Sequence, residues 1–254
     1  MDAAQSIREM VSKVFDLRAR NVADPPLGRA VNEVKLFQAR RFEKTYGDIL
    51  TSGPYQHATK FFLEELYGDK DYSHRDQQFS RIAGALQRLL PQQAVATALL
   101  LARLHLMTEE LDQAMGLAWL DFENPGAAEK LDPRARALRI SWVYVNAWRQ
   151  VGQIENRRQQ LKNVLAVGQD LNRLTQTPGL RLMLKLMRRP AEAAGLGDLQ
   201  HFLESGFDTF AKLAERGGAV QGFLALIEQR ESDMIQALFE VPSGEMAAQL
   251  TDET

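Results

Sequence analysis

Cysteine is missing from all 254 positions. That excludes disulfides, thiolate metal sites, cysteine nucleophiles and cysteine-held iron–sulfur clusters. Glycine (17) and proline (9) are sparse, too sparse for collagen-like or turn-dense all-β architecture. Long apolar runs are missing as well. The charge-free stretch from Leu89 to Ala102 contains Pro91, Gln92 and Gln93 and falls short of the ~20 residues that a membrane span needs. The start, Met1 to Glu9, carries acids in its first turns and no apolar h-region, so no secretory signal is expected there. No lipidation motif closes the chain, and a cytoplasmic protein is the default expectation. Walker-loop, G-x-G-x-x-G, G-x-S-x-G, H-E-x-x-H and E-x-x-H patterns are all absent, which weighs against the common NTPase, dehydrogenase, hydrolase, zincin and di-iron chemistries.

What is present is ordinary globular material, 45% apolar and 25% charged, enough to bury a sizeable core. Nearly every segment shows helical rather than alternating periodicity. Ile7, Met10, Val11, Val14 and Phe15 trace an opening helix. Asp24-Pro25-Pro26 breaks the chain before a long helix from about Leu27 to Leu50, and Gly53-Pro54 breaks it again. A shorter helix then carries Tyr55, Ala58, Phe62 and Leu66. Ser73 reads as an N-cap with Asp76 reaching back to it. The helix over about 92–118 is apolar on most of its circumference, the mark of a central element. Asp132-Pro133 and Thr177-Pro178 read as caps followed by proline at the first helical position. Helices over about 133–151, 198–215 and 219–239 complete the core. The fold expected is all-α, a bundle of nine or ten helices in one domain over 1–254. Its two packed sub-halves would be 1–123 and 132–240, with a polar, frayed tail at 241–254.

Net charge is −2, from 31 bases and 33 acids, but it is unevenly laid out. Residues 132–189 hold twelve Lys/Arg against three Asp/Glu, a net of +9, and residues 190–254 hold three against twelve, a net of −9. The plainer reading is that these segments pack on each other. The sharper one is that Arg181, Lys185 and Arg188, spaced i, i+4, i+7 among leucines and methionines, offer a basic amphipathic face to an anion, an acidic partner or a membrane surface. Nucleic acid is disfavoured by a pI near 6.1 and by the lack of any nucleic-acid fold signature.

Three further constellations carry candidate chemistry. Tyr67, Asp69, Asp71, His74, Arg75 and Asp76 crowd one polar loop. Asp69, Asp71 and Ser73 match a calcium loop at its first three ligand positions, but His74 stands where glycine is required and Ser80 where a bidentate glutamate is required, so an EF-hand is rejected. The group can clamp a ligand, or it can form a rigid helix–helix corner. His105, Glu109 and Asp112, at i, i+4, i+7, are candidate metal ligands, with haem ligation by His105 a related option. The same spacing also describes the solvated side of an amphipathic helix. Glu231 sits in the apolar stripe Val220, Phe223, Ile227, Met234, Leu238, where a carboxylate must find a cation or protonate. An arginine from the basic segment is the expected partner.

The run Phe61-Phe62-Leu63-Glu64-Glu65-Leu66-Tyr67-Gly68, followed by Asp71 and Arg75-Asp76, resembles the signature of a family of uncharacterised bacterial all-helical proteins. Ala194-Gly195-Leu196, Leu199-Gln200, Phe202-Leu203-Glu204 and Arg230-Glu231 are similar to that family's C-terminal half. The resemblance spans most of the chain and implies no established activity. The functional expectation is a non-enzymatic module that binds a hydrophobic small ligand or a protein partner, with a homodimer as one form of the latter. Eight methionines and twelve phenylalanines supply adaptable apolar lining. An apolar cavity of roughly 300 Å³ or more is the feature that a small ligand calls for. The alternatives are a metal- or haem-dependent enzyme or sensor built on His105, and an anion or membrane-surface binder built on the basic segment. No cofactor is assigned.

Overall fold

A computed structural model describes residues 2–65, 72–89, 91–124, 126 and 131–252. Among them there are thirteen α-helices and no strand, so the all-α expectation holds and the expected nine or ten helices is too few. They are α1 (Ala3–Ala23), α2 (Pro25–Thr45), α3 (Gly47–Thr51), α4 (Gln56–Glu65), α5 (Ser73–Leu89), α6 (Gln92–Phe122), α7 (Pro133–Val151), α8 (Ile154–Thr175), α9 (Leu180–Leu186), α10 (Arg188–Ala193), α11 (Gly197–Ala214), α12 (Ala219–Glu240) and α13 (Ser243–Asp252). The extra helices are short ones at bends, where apolar spacing over one or two turns is too brief to register as periodicity.

Proline caps define the boundaries that sequence placed best. The Asp24 side chain accepts from Leu27 N at 3.2 Å ahead of Pro25 and Pro26. Asp132 accepts from Arg134 N and Ala135 N, each at 3.0 Å, with Pro133 opening α7. At Thr177-Pro178 the expectation fails, because α9 begins only at Leu180, after Gly179 in the left-handed region (φ 77°). The chain breaks again at Met187, between α9 and α10, three residues before Pro190. Pro190 lies in the first turn of α10, where proline is tolerated because its missing N–H has no helical partner.

The 31-residue α6 is the central strut, packed on α1, α2, α7 and α8. Its approach to α2 is close: a Cβ on Gly116 would lie 2.5 Å from Val31 Cγ2 and 3.1 Å from its backbone nitrogen. The main core runs from Ala30 to Leu250 and crosses both expected halves. Aromatic pairs interlock it, with Phe37 stacked on Tyr144 at 4.2 Å between centroids and Phe62 edge-on to Phe223 at 5.4 Å. A smaller cluster joins α1, α5 and α6 through Ile7, Val11, Ala83 and Ala102.

The expected frayed tail is a helix. Met246, Ala247 and Leu250 of α13 are buried in the main core against α7, and the α12–α13 corner is tied by Arg149, whose guanidinium donates to the carbonyls of Leu238 and Val241 and to Ser243 Oγ. The apolar i, i+4 pair Met246/Leu250 was visible in sequence, but ten residues of mixed composition do not reveal a partner surface. Leu250→Ala should therefore destabilise the fold by about 2–4 kcal/mol, read as a lowered urea midpoint with an unchanged m-value. A tail that frays would leave the midpoint where it is.

Candidate functional site

Arg18 organises the polar cluster of the fold. It falls where the α1 stripe Ile7, Val11, Val14 would place its next apolar residue, so the guanidinium is carried inward. Its Nη1 donates to Asp76 Oδ2 at 2.9 Å and to Ser73 Oγ at 3.0 Å, both on α5. Its Nε and Nη2 reach Glu109 Oε1 on α6 at 3.2 and 2.8 Å. His105 Nε2 lies 2.9 Å from Asp76 Oδ2 and 3.3 Å from Arg18 Nη2. From α2, Lys35 Nζ takes the other Glu109 oxygen at 2.8 Å. Burial disfavours the carboxylate charge at Asp76 and Glu109, yet His105 and Arg18 at the first, and Lys35 and Arg18 at the second, hold both below their ordinary values. Burial likewise opposes the charge on Arg18, and Glu109 and Asp76 outweigh it.

Asp112, one turn further along α6, is the exception. It is 4% exposed, and Gln38 Nε2 donates to its Oδ1 at 3.0 Å. Burial raises its pKa above the ordinary 3.8 and Glu109 adds to the rise, while Lys35, the Gln38 bond and Arg157 oppose it. Among the described residues nothing donates to Oδ2.

Most of these side chains line a cavity of about 210 Å³. Lys35, Asp76, His105, Glu109 and Asp112 contribute polar wall, and Leu101, Val167, Leu174, Leu184, Leu203 and Phe207 contribute apolar wall. The volume is below the roughly 300 Å³ at which most ligand pockets begin, and above the ~150 Å³ of an engineered apolar cavity that holds benzene. An occupant is limited to about one aromatic ring or a short alkyl chain.

The sequence-selected residues part company here. His74 is exposed and faces Asp198 of α11, whereas Arg75 and Asp76 turn into the cavity wall. Arg75 binds Glu65 at 3.0 Å and lies over the rings of Tyr72 and Phe202. Tyr67, Asp69 and Asp71 lie outside the described residues. Asp76 does not close a capping box, because Ser73 is already helical and the carboxylate is committed to Arg18 and His105. His105, Glu109 and Asp112 are not a solvated face, since Glu109 and Asp112 are each 4% exposed. Around them gathers a guanidinium rather than a set of ligands. Among the described residues no group of three or more His, Asp or Glu side chains has metal-holding geometry.

Glu231 has a partner, though not from the basic segment. Arg41 of α2 binds it in a two-pronged pair at 2.9 and 3.2 Å, and Tyr46 Oη donates at 3.0 Å. Arg157 instead lies 3.8 Å over the Trp148 ring. Arg181 and Lys185 sit on α9 and Arg188 opens α10, with Arg181 paired to Asp208 and Arg188 to Glu204. These two ion pairs add to the packing of the basic segment on the acidic one, while Leu182 and Leu186 point outward, 61% and 68% exposed.

The profile of a family described as Domain of unknown function (DUF8198) matches residues 17–244. The chain belongs to this family. The matched DUF8198 span includes Arg18, Lys35, Asp76, His105, Glu109, Asp112 and the Arg41–Glu231 pair, and it agrees with the resemblance to an uncharacterised family. No curated protein and no solved structure matches the chain. No described helix is long and apolar enough to cross a membrane.

Arg18, Lys35 and Arg41 were missed in the sequence, though the signal that flagged Glu231 flags them too. Arg18 follows Val14 by four, Lys35 follows Val31 by four, and Arg41 follows Phe37 by four, each on an apolar stripe. Two outcomes follow for the charges. Glu231→Gln strands Arg41 in the core and should cost about 3–5 kcal/mol in denaturant unfolding. Asp112→Asn keeps the Gln38 bond and should raise the melting temperature at pH 7, because a carboxylate whose folded pKa is raised destabilises the fold above that pKa. The gain should shrink as pH falls through the raised value and close near the ordinary 3.8; a gap that stays constant with pH would contradict it.

Proposed function

We propose that this DUF8198 chain is a non-enzymatic binding module for a small amphipathic molecule. The molecule would place its apolar body among Leu101, Val167, Leu174, Leu203 and Phe207, and its hydrogen-bonding end toward Lys35, His105 and Asp112. The observation that carries the reading is a cavity of about 210 Å³ lined mostly by apolar side chains, with Lys35, Asp76, His105, Glu109 and Asp112 among the polar groups in its wall. Apolar lining with a few convergent polar groups is the arrangement of ligand sites in general. Burying a polar network beside an empty space has a cost in desolvation, and a ligand that satisfies the network and fills the space offsets both.

The arrangement argues for binding rather than turnover. Both Glu109 oxygens are held by Arg18 and Lys35, and Asp76 Oδ2 is held by Arg18 and His105, which stabilises both carboxylates as anions and makes each a poor base. The polar groups orient a guest and hold it. They do not present a nucleophile.

The test uses a neutral probe. Phenethyl alcohol should raise the melting temperature of the wild type in a saturable, concentration-dependent way, reaching about 2.7 kcal/mol of stabilisation at a hundredfold excess over its dissociation constant. Leu101→Trp, which drives an indole into the cavity at an overpacking cost of about 1–3 kcal/mol, should still give a helical circular-dichroism spectrum and lose the response. If the response survives in that variant, the probe binds elsewhere and the reading fails.

A further inference from the structure

Most polar groups in the cavity wall are already committed to one another. Glu109 has both oxygens on cations, Asp76 is held by Arg18 and His105, and Arg75 is paired with Glu65. Asp112 differs, because it is buried, lines the cavity and, among the described residues, touches no cation: its one hydrogen bond comes from the neutral Gln38 amide on Oδ1, and Oδ2 takes no donor. The cations in direct contact are also unevenly shared. Arg18 bonds Asp76, and Arg18 and Lys35 both bond Glu109, whereas among the described residues no cation lies within ion-pair distance of Asp112. Arg157 acts on Asp112 from a distance, but its guanidinium lies over Trp148 and no ion pair joins the two.

We propose that the ligand is an apolar amine, with its ammonium group bound to the unshared oxygen of Asp112 in the cavity wall. The inference rests on the binding reading above and gives it a substrate class. An ammonium entering an apolar site needs a counter-charge there, and Asp112 supplies one that no residue neutralises by direct contact. A carboxylate or phosphate head meets the opposite situation. It would come to rest beside Asp112 and Glu109, and it would have to share Lys35 or Arg18 with Glu109. A neutral hydroxyl is accepted without either gain or conflict. The raised pKa of Asp112 fits this assignment, since the charge that burial penalises is the one a bound ammonium would stabilise.

The ligand bond reads as a charge-assisted N–H···O contact from the amine to Asp112 Oδ2, with Gln38 holding Oδ1 and so fixing the carboxylate plane. Gln38 is a positioning residue here, because it touches Asp112 and gives it direction.

The experiment compares three probes of one shape, phenethylamine, phenethyl alcohol and hydrocinnamate, by calorimetric titration of the full chain at pH 7. Phenethylamine should bind about tenfold more tightly than the alcohol, and hydrocinnamate more weakly than either. Asp112→Asn should remove the amine advantage, so that amine and alcohol bind within about twofold of each other, and saturable binding of both shows that the cavity is intact. A second readout needs no variant. In the wild type the amine advantage should decline as pH is lowered from 7 through the raised pKa of Asp112, while the alcohol affinity stays level. Equal affinity for amine and alcohol, or an advantage that persists in Asp112→Asn, overturns the amine assignment and leaves the cavity reading standing. Tightest binding by hydrocinnamate overturns it in favour of Lys35 as the head-group contact. Failure of all three probes overturns the cavity reading itself.

Discussion

A guanidinium withdrawn from bulk water into the seam between three helices sets the terms for the rest of this structure. Once Arg18 is carried into the α1–α5–α6 junction, desolvation requires that its charge be met. Asp76 and Glu109 meet it from two different helices. Glu109 then has an oxygen to spare, which Lys35 takes from α2, and Asp76 collects His105. One half-buried cation thus recruits four helices into a common polar layer. The apolar clusters provide the bulk attraction between those helices, but grease is non-directional. The charge-assisted bonds are directional, and they fix how α1 and α5 sit against α6.

That layer also explains why a cavity exists beside it. Side chains committed to ion pairs cannot swing inward to fill space, and the apolar residues facing them come from α6, α8, α9 and α11, whose spacing is set by the main core on the far side. Leu180 and Leu184 of the short α9 close one wall, and α9 is itself held to α11 by Arg181 with Asp208. The void is therefore bounded by elements that are each fixed by something else. Asp112 lies within this frame as the carboxylate with the least support, which is unfavourable for the empty fold and useful for a guest.

The Arg41–Glu231 pair shows the contrasting case. It is more deeply buried than the Arg18 cluster, but Arg41 and Tyr46 meet both Glu231 oxygens, and neither Arg41 nor Glu231 lines the cavity. Its part is to register α2 against α12 across the core. Burial of charge alone does not separate a binding group from a structural one. What separates them is an unspent hydrogen-bonding position facing open space.

How much of this was legible in the chain depends on range. Helix, cap and proline signals are local, so the all-α class, the starts of α2 and α7 and the centrality of α6 follow from neighbours within a few turns. The inward placement of Glu231 followed from its own helix in the same way. Partner choice did not. Arg18 meets residues 58 and 91 positions away, and Arg41 meets one 190 positions away, distances over which a 3.6-residue rhythm carries no information. The expectation that His105, Glu109 and Asp112 faced water failed for that reason, because a polar stripe looks the same whether solvent or another helix's cations lie opposite. The α13 helix was hidden likewise, its few apolar residues acquiring meaning only against α7. Local periodicity determined which surfaces had to be buried; the packing of distant helices decided which charges were buried together, and where a space was left between them.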